Sequence, residues 1–319
     1  MDISWQGMRN MAEWVVGVDL GGTKIDIGLV DGENRVVQRQ RIPTQNEQGG
    51  AAVVERIAAV IESFTLPAGD KIAALGICTP GPVDHVNGVL LTLVNLPGLS
   101  NTPLRALLGD RLNIPVRLEH DAKAAALGDF HYGAGQGARS MTYTVVGTGV
   151  GAAIILNGEL YYGEGFASGE VGHITIDRYG EMENSGVRGA VQRYCSGPNL
   201  ARRYSEAMLT TTTPEGEPIT GGYVARRAQL GDPVALRIVQ EAGEALGIAI
   251  ASMAMILDIE LNVIGGGVVA LGDLLLEPAR QMMRRYCFQA LGARVRIVPT
   301  ALGDDGPILG CAYMARSVL

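Results

Sequence analysis

The chain has 319 residues, a formal net charge of −7 and only 18% charged residues. Its length favours two α/β lobes with a full core, and its acidic, evenly mixed charge excludes a nucleic-acid-binding surface. Met1 to Glu13 lacks the apolar segment of a signal peptide, no stretch is apolar enough to span a bilayer, and Cys78, Cys195, Cys287 and Cys311 lack metal or disulfide spacing, which together predict a soluble cytoplasmic protein with reduced thiols.

Val15 to Asp31 is the first readable element. An apolar run reaches Asp19, breaks at Gly21-Gly22-Thr23-Lys24 and resumes as a second strand ending in Val30-Asp31. A carboxylate at a buried strand end, beside a turn offering backbone N–H groups, a hydroxyl and an ammonium, suits a metal-bound polyphosphate. A plain hairpin turn with a capping aspartate accounts for the same residues without a ligand. Gly50 to Phe64 then places Val53, Val54, Ile57, Val60 and Ile61 on one helical face. Lys71 to Cys78 is a short buried strand ending in the rigid turn Thr79-Pro80-Gly81-Pro82-Val83-Asp84. Beyond Asn95-Leu96-Pro97-Gly98 and a helix near Pro103 to Leu112, the strand Val116 to Glu119 delivers His120-Asp121 to the start of a helix, Ala122 to Phe130. Asp121 there reads either as a reactive carboxylate or as a helix N-cap. Strands alternating with helices predict parallel sheet, and ligands in such folds collect at the carboxyl ends of strands, where Asp19, Thr79 and Asp121 lie.

Met141 to Leu160 repeats the opening pattern with a strand, the turn Gly147-Thr148-Gly149-Val150-Gly151, a second strand and an Asn157-Gly158 turn. Two such meanders predict a duplicated architecture with a cleft between its halves. Gly163 to Ile176 carries Gly169-Glu170-Val171-Gly172-His173, whose Glu170 and His173 have the spacing to share one face of a helical turn. Thr210 to Gly222 reads as a mobile loop, and Asp232 to Leu257 as a long buried helix. Leu261 to Ile264 is a strand ending in Gly265-Gly266-Gly267, glycines that permit either close approach to a flat ligand or close helix–strand packing. The last strand, Val295 to Val298, and the helix Pro307 to Ser317 are expected to cross back to the first lobe.

Seven of these segments occur in the order found in one family. They are G-V-D-L-G-G-T-K at Gly17 to Lys24, T-P-G-P-V-D at Thr79 to Asp84, N-L-P-G at Asn95 to Gly98, H-D-A at His120 to Ala122, G-T-G-V-G at Gly147 to Gly151, G-E-V-G-H at Gly169 to His173, and I-G-G-G-V at Ile264 to Val268. With them the chain resembles the ROK family of bacterial sugar kinases, within the hexokinase–actin–heat-shock ATPase fold. The resemblance implies a two-lobed actin-like ATPase (ribonuclease H-like) α/β fold, with duplicated mixed sheets flanked by helices and an interdomain cleft. The N-terminal lobe would hold residues 1–121 plus about 300–319, and residues 122–299 would form the C-terminal lobe with the adenosine site and a dimer surface.

What the resemblance implies for chemistry is a sugar kinase using ATP and Mg²⁺, with polyphosphate an open alternative as donor, acting as a homodimer. Asp19 would face the Mg²⁺-bound phosphates, with Gly21, Gly22, Thr23 and Lys24 in the first phosphate turn. Thr148, Gly149 and Gly151 would form the second turn, and Gly265, Gly266 and Gly267 would border the adenosine. Asp121 would be the general base that takes the proton of the attacking sugar hydroxyl. The sugar pocket maps onto Gly81, Asn95, His120, Asp121, Glu170 and His173.

Three departures from the family pattern stand out. Family members usually have Asn where this chain has His120. They also carry a C-x-C-G-x-x-G-C-x-E segment, whose three cysteines bind structural zinc with the histidine, where this chain runs from Glu183 to Gln192 without a cysteine. Gln192 itself replaces a sugar-contacting glutamate. These changes predict a zinc-free member whose loop is held by packing and charge pairs, with Cys195 a packed thiol. They also widen the acceptor from glucose to amino sugars and cyclitols. Repressors of the family carry a helix-turn-helix ahead of the first phosphate motif, for which the tail before Val15 is too short. A non-catalytic sugar-binding or regulatory relative is the remaining alternative, opposed by the joint presence of Asp19, Thr23, Thr148 and Asp121.

Overall fold

The computed structural model describes residues 13–319 apart from residues 94, 95 and 184, so Asn95 lies outside the described residues. The chain divides into two compact units, one running through Gly133 and completed by Asp304–Leu319, the other formed by Ala134–Gly303. In the first unit, β1 (Trp14–Leu20), β2 (Lys24–Val30) and β3 (Val36–Pro43) form an antiparallel meander and lead into α1 (Gly49–Glu62). Next come β4 (Ile72–Thr79), the small hairpin β5 (Val83–Asp84) and β6 (Val89–Leu90), α2 (Leu104–Leu112), β7 (Val116–His120) and α3 (Asp121–Tyr132). The sheet order is β3-β2-β1-β4-β7, with β4 and β7 parallel to β1.

The second unit repeats this plan. β8 (Met141–Val146), β9 (Val150–Leu156) and β10 (Glu159–Leu160) form its antiparallel meander, followed by α4 (Gln192–Cys195), α5 (Gly197–Met208), α6 (Gly221–Gln229) and α7 (Pro233–Leu257). β11 (Leu261–Gly265), α8 (Asp273–Tyr286), α9 (Gln289–Gly292) and β12 (Arg296–Pro299) complete it, giving the order β10-β9-β8-β11-β12 with β11 and β12 parallel to β8. Both sheets are mixed, as the family resemblance implies, because each begins with tight turns that can join only antiparallel strands. The last helix, α10 (Gly306–Arg316), returns to the first unit.

Side-chain size explains how the first sheet is covered on both faces. Val16, Val18 and Leu20 of β1 point into one cluster with Val53, Val54 and Ile57 of α1. On the opposite face, Gly28, Gly17 and Gly76 form a row across β2, β1 and β4, since Gly17 pairs with both others. A Cβ at Gly17 would lie 2.2 Å from the Ile308 carbonyl oxygen, and one at Gly76 1.9 Å from that of Cys311. The row thus lets the backbone of α10 lie directly on the sheet. Helix α3 packs on α10 by the same means: a Cβ at Gly310 would sit 1.7 Å from the Ala124 carbonyl oxygen.

That contact moves the domain boundary. Helix α3 stays with the first unit, so the chain crosses after Gly133 and not after residue 121. Strand β12 does not cross back: it pairs in parallel with β11, Leu261 opposite Arg296, and only α10 returns. The segment expected as a loop from Thr210 to Gly222 is closed by a bridge between Thr212 and Pro218, and its final glycines already belong to α6. Thr220 caps that helix, its Oγ1 accepting the Tyr223 N–H at 3.1 Å.

Candidate active site

In the first unit, parallel pairing brings three strand ends side by side. Asp19 of β1 pairs with Cys78 of β4, and Thr79 pairs with His120 of β7, which leads into Asp121. Asp19 is half-buried, and burial together with the carboxylates of Asp121 and Asp26 pushes its pKa up to about 6. The Cys78 thiol donates to Asp19 Oδ1 at 3.7 Å. Thr79 is fully buried and its Oγ1 has no hydrogen-bond partner among the described residues. A carboxylate destabilised by its neighbours gains from a cation, and Mg²⁺ needs only one or two carboxylates when phosphates and water fill its other positions. The donor set around Asp19 therefore fits a phosphate-borne Mg²⁺.

The turn after β1 is held by bonds within its own unit. Gly21 N–H donates to Lys24 O at 3.0 Å, Thr44 Oγ1 donates to Gly21 O at 2.7 Å, and Thr44 N–H donates to Thr23 O at 3.0 Å. Thr23 and Lys24 are exposed. Behind the turn, Arg39 and Arg41 hold the buried Asp26 through contacts of 2.6 to 2.7 Å, and Arg39 also reaches Asp305 at the start of α10.

His120 and Asp121 form a contact of their own. His120 Nδ1 lies 3.0 Å from Asp121 Oδ1. The Ala122 N–H, in the first turn of α3, points to both atoms, at 2.6 Å from Oδ1 and 3.2 Å from Nδ1. The cap of α3 is His120, whose Nδ1 accepts the Ala122 N–H, so the N-cap role expected of Asp121 falls one residue earlier and Asp121, the first residue of the helix, keeps an accessible carboxylate. Gly81 lies against the imidazole, for a Cβ there would be 2.4 Å from His120 Cδ2.

In the second unit, glycine has two distinct uses. A Cβ at Gly265 would meet the Tyr143 hydroxyl at 1.9 Å, and Gly266, with φ of 87°, would meet Val146 O at 2.4 Å. Packing therefore accounts for both, and of the three only Gly267 faces open space. The turn between β8 and β9 is the reverse case: Gly147 has open space, Gly149 and Gly151 have only ordinary contacts, and none of the three has a positive φ. No packing demand explains glycine there, whereas close approach of the backbone to a ligand does.

Gln192, at the start of α4, stands between this turn and the Gly169 to His173 segment, its Oε1 3.6 Å from a Cβ placed on Gly149 and 3.2 Å from one placed on Gly172. Val171–His173 is a 3₁₀ turn that brings His173 Nε2 within 3.8 Å of Glu170 Oε2, so the two share a face as the spacing predicts. His173 Nδ1 lies 3.2 Å from Ser185 Oγ. The surrounding loop is tied by bridges Thr175–Ala190 and Met182–Arg188, and by Glu181 with Arg193 and Arg202. Cys195 is fully buried, and burial pushes its thiol up to about 12. Among the described residues, no group of three His, Cys, Asp or Glu side chains is placed to hold a metal ion.

The structure also brings in residues that motif reading passes over. Cys78, Thr44 and Ser185 carry no motif of their own. Thr79 opens the T-P-G-P-V-D motif, but its hydroxyl, unpaired among the described residues, becomes evident only with the fold.

Two sheets of identical order, each with a glycine turn after its first strand, define a duplicated α/β ATPase of the actin-like class. The chain belongs to the ROK family, whose profile matches residues 15–318. It is 33% identical over 316 residues to a glucokinase from Halalkalibacterium halodurans, covering 95% of each chain. Among solved structures it resembles the ROK hexokinase from Thermus thermophilus, with 34% identity, a TM-score of 0.79, and coverage of 96% of this chain and 98% of that one. It also resembles a ROK family glucokinase from Streptomyces griseus in complex with glucose and AMPPNP, with 30% identity, a TM-score of 0.80, and coverage of 95% and 99%.

Proposed function

We propose that this chain is an ATP-dependent kinase that phosphorylates a hydroxyl of a hexose or hexose-like small molecule, with Asp121 as general base. The observation that carries this reading is the pair of carboxylates at the ends of β1 and β7, Asp19 and Asp121, which flank the end of β4 and are close enough for one to raise the pKa of the other. Each has a separate task. Asp19 would face the Mg²⁺ that neutralises the phosphates, and Asp121 receives the proton as the sugar oxygen bonds to the γ-phosphorus and ADP leaves. The turns at Gly21 to Lys24 and at Thr148 to Gly151 offer backbone N–H groups to the phosphates. Gly267, which no packing contact requires, is the best placed of its glycine run to lie along the adenosine.

For the acceptor, Gly81, His120, Glu170, His173 and Gln192 supply the hydroxyl-binding groups, with Asn95 assigned by the family motif alone. His120 and Gln192 are an imidazole and an amide, so acceptors beyond glucose belong in the test. The glucokinase relatives support glucose as the first probe. Coupled ADP release with ATP or polyphosphate, across hexoses, amino sugars and cyclitols, tests the assignment on the native chain and on Asp121→Ala. Turnover that survives this substitution at an unchanged rate removes Asp121 as the base. Ligand binding without turnover of any panel member favours the non-catalytic alternative.

The further expectations rest on narrower support. The four cysteines are buried free thiols, in keeping with a cytoplasmic enzyme. A homodimer rests on the family resemblance, with light scattering as its test. The charge pairs of Glu181 support a loop that holds without zinc, and elemental analysis finding one tightly bound zinc per chain would overturn that.

A further inference from the structure

We propose that Ser185, at the tip of a short hairpin, is a positioning residue that holds the His173 imidazole in the place of the family's zinc. This role rests on the reading of His173 as a group that binds an acceptor hydroxyl, and it names what keeps that group oriented. The hairpin is built by its own backbone. Met182 and Arg188 form a bridge, Glu183 N–H donates to Val187 O at 2.9 Å, and Gly186 N–H closes the turn on Glu183 O at 2.9 Å. Gly186 has φ of 85°, a left-handed value that glycine adopts without strain. Inside the turn, Ser185 N–H donates to Glu183 Oε2 at 2.7 Å. At its base, Thr175 Oγ1 donates to Arg188 O at 3.0 Å and Arg188 Nη1 to Gly180 O at 2.9 Å. An ordered tip thus carries the Ser185 hydroxyl to 3.2 Å from His173 Nδ1. A hydroxyl both donates and accepts, so this bond forms whichever ring nitrogen carries the proton.

With Nδ1 engaged, the opposite edge of the ring faces Glu170, whose Oε2 lies 3.8 Å from Nε2. That gap is too wide for a hydrogen bond between the two, and an oxygen about 2.8 Å from each fits it, which is the place for one hydroxyl of a sugar. Glu170 is exposed and His173 half-buried, so a ligand can reach both. A zinc ion does not fit on the other edge. Structural zinc is held by a tetrahedral set of thiolates, imidazoles and carboxylates, whereas His173 Nδ1 faces a neutral hydroxyl and the chain from Glu183 to Gln192 has no cysteine. Where the family closes this segment on a metal, this chain closes it on a hairpin turn and one serine.

NMR of histidine-labelled protein tests the contact without any ligand. The chain has only four histidines, His85, His120, His131 and His173, and the His173 ring signals are those missing in His173→Ala. Ser185→Ala, at an exposed position, should shift these signals and leave the other three in place, and Ser185→Thr should bring them back. His173 signals that do not move in Ser185→Ala overturn the proposal. Calorimetric binding of glucose, or of the panel acceptor with the highest turnover, gives the second readout. Ser185→Ala should weaken binding about 3-fold to 10-fold, the scale of one hydrogen bond, and raise KM for the acceptor alike with little change in kcat. Ser185→Thr should keep the native affinity. In His173→Ala, the further change Ser185→Ala should add nothing, because its effect passes through the ring. An equal further loss there overturns the positioning role, as does acceptor binding that excess chelator abolishes and added zinc restores. Native affinity in His173→Ala removes that histidine from the acceptor pocket instead, while the ring signals still decide whether Ser185 holds it.

Discussion

In the first unit the opening hairpin sets Asp19 opposite Asp26. At the matching place in the second, β8 and β9 set Val145 opposite Gly151. The parallel strands diverge in the same way. In the first unit β4 ends in Thr79 and β7 leads into Asp121, whereas in the second β11 ends in Gly265 and β12 in Pro299. One scaffold thus carries acidic side chains at its strand ends in one copy and apolar residues or glycine in the other. Phosphates are anionic, so carboxylates are tolerable near them only with a metal and at few positions. In the second unit the proposed phosphate donors are instead the backbone N–H groups of the turn at Gly147 to Gly151. Asp19's raised pKa shows that even one such cluster strains the ionised form.

The sharpest way to break this contrast is to remove the base. Asp121→Ala should lower kcat by about 10²-fold to 10⁴-fold in the coupled assay while the chain still folds. Next in size, Gly310→Ala in α10 forces a Cβ to 1.7 Å from the Ala124 carbonyl oxygen. It should destabilise the protein by about 3 kcal/mol in denaturant unfolding, since backbone cannot yield as a side chain does. Gly149→Ala in the second unit, with only a 3.6 Å contact, should leave stability nearly unchanged and raise KM for ATP. Destabilisation by Gly149→Ala equal to that of Gly310→Ala would erase the distinction between packing and ligand glycines.

Asp19 gives a pH-dependent test. Its pKa is raised from 3.8 to about 6 in the folded chain. The native state therefore binds the proton more tightly than the unfolded state, and the stability this contributes is complete below 3.8 and lost as pH rises through about 6. Asp19→Asn should stabilise the ligand-free protein at pH 8 by roughly 1–3 kcal/mol, reduced by the group's partial exposure, with the gain fading under acid conditions. Thermal melts across pH measure it, and a gain independent of pH would refute the cause. The smallest effect belongs to Glu181→Ala, which frees Arg193 and Arg202 at a half-exposed site. About 0.5–1 kcal/mol is expected, smaller at high salt.

Much of this was legible before folding, for identifiable reasons. The hairpins at Asp19 and Gly147, the helix of Val53 to Ile61 and the buried helix ending at Leu257 announce themselves through period and turn chemistry, which are local. Helix α8 did not, because Pro278 lies inside it and reads as a breaker, although the helix tolerates it there. Helix α3 was visible, but its membership in the first unit depended on Gly128 and Gly310 meeting across a long sequence separation. The three glycines at 265 to 267 look alike in sequence, and Tyr143 and Val146 separate their uses.

The sequence alone determined which chemistry is available: two carboxylates at strand ends and glycine turns suited to phosphates. These are properties of residue type and spacing. Only the tertiary structure decided which groups act on one another: Asp19 with Cys78 and Asp121, His120 with Oδ1 of its neighbour, Ser185 with His173. Hydrogen-bond direction, burial and charge coupling depend on distances of a few ångströms, and packing sets those distances between residues far apart in the chain.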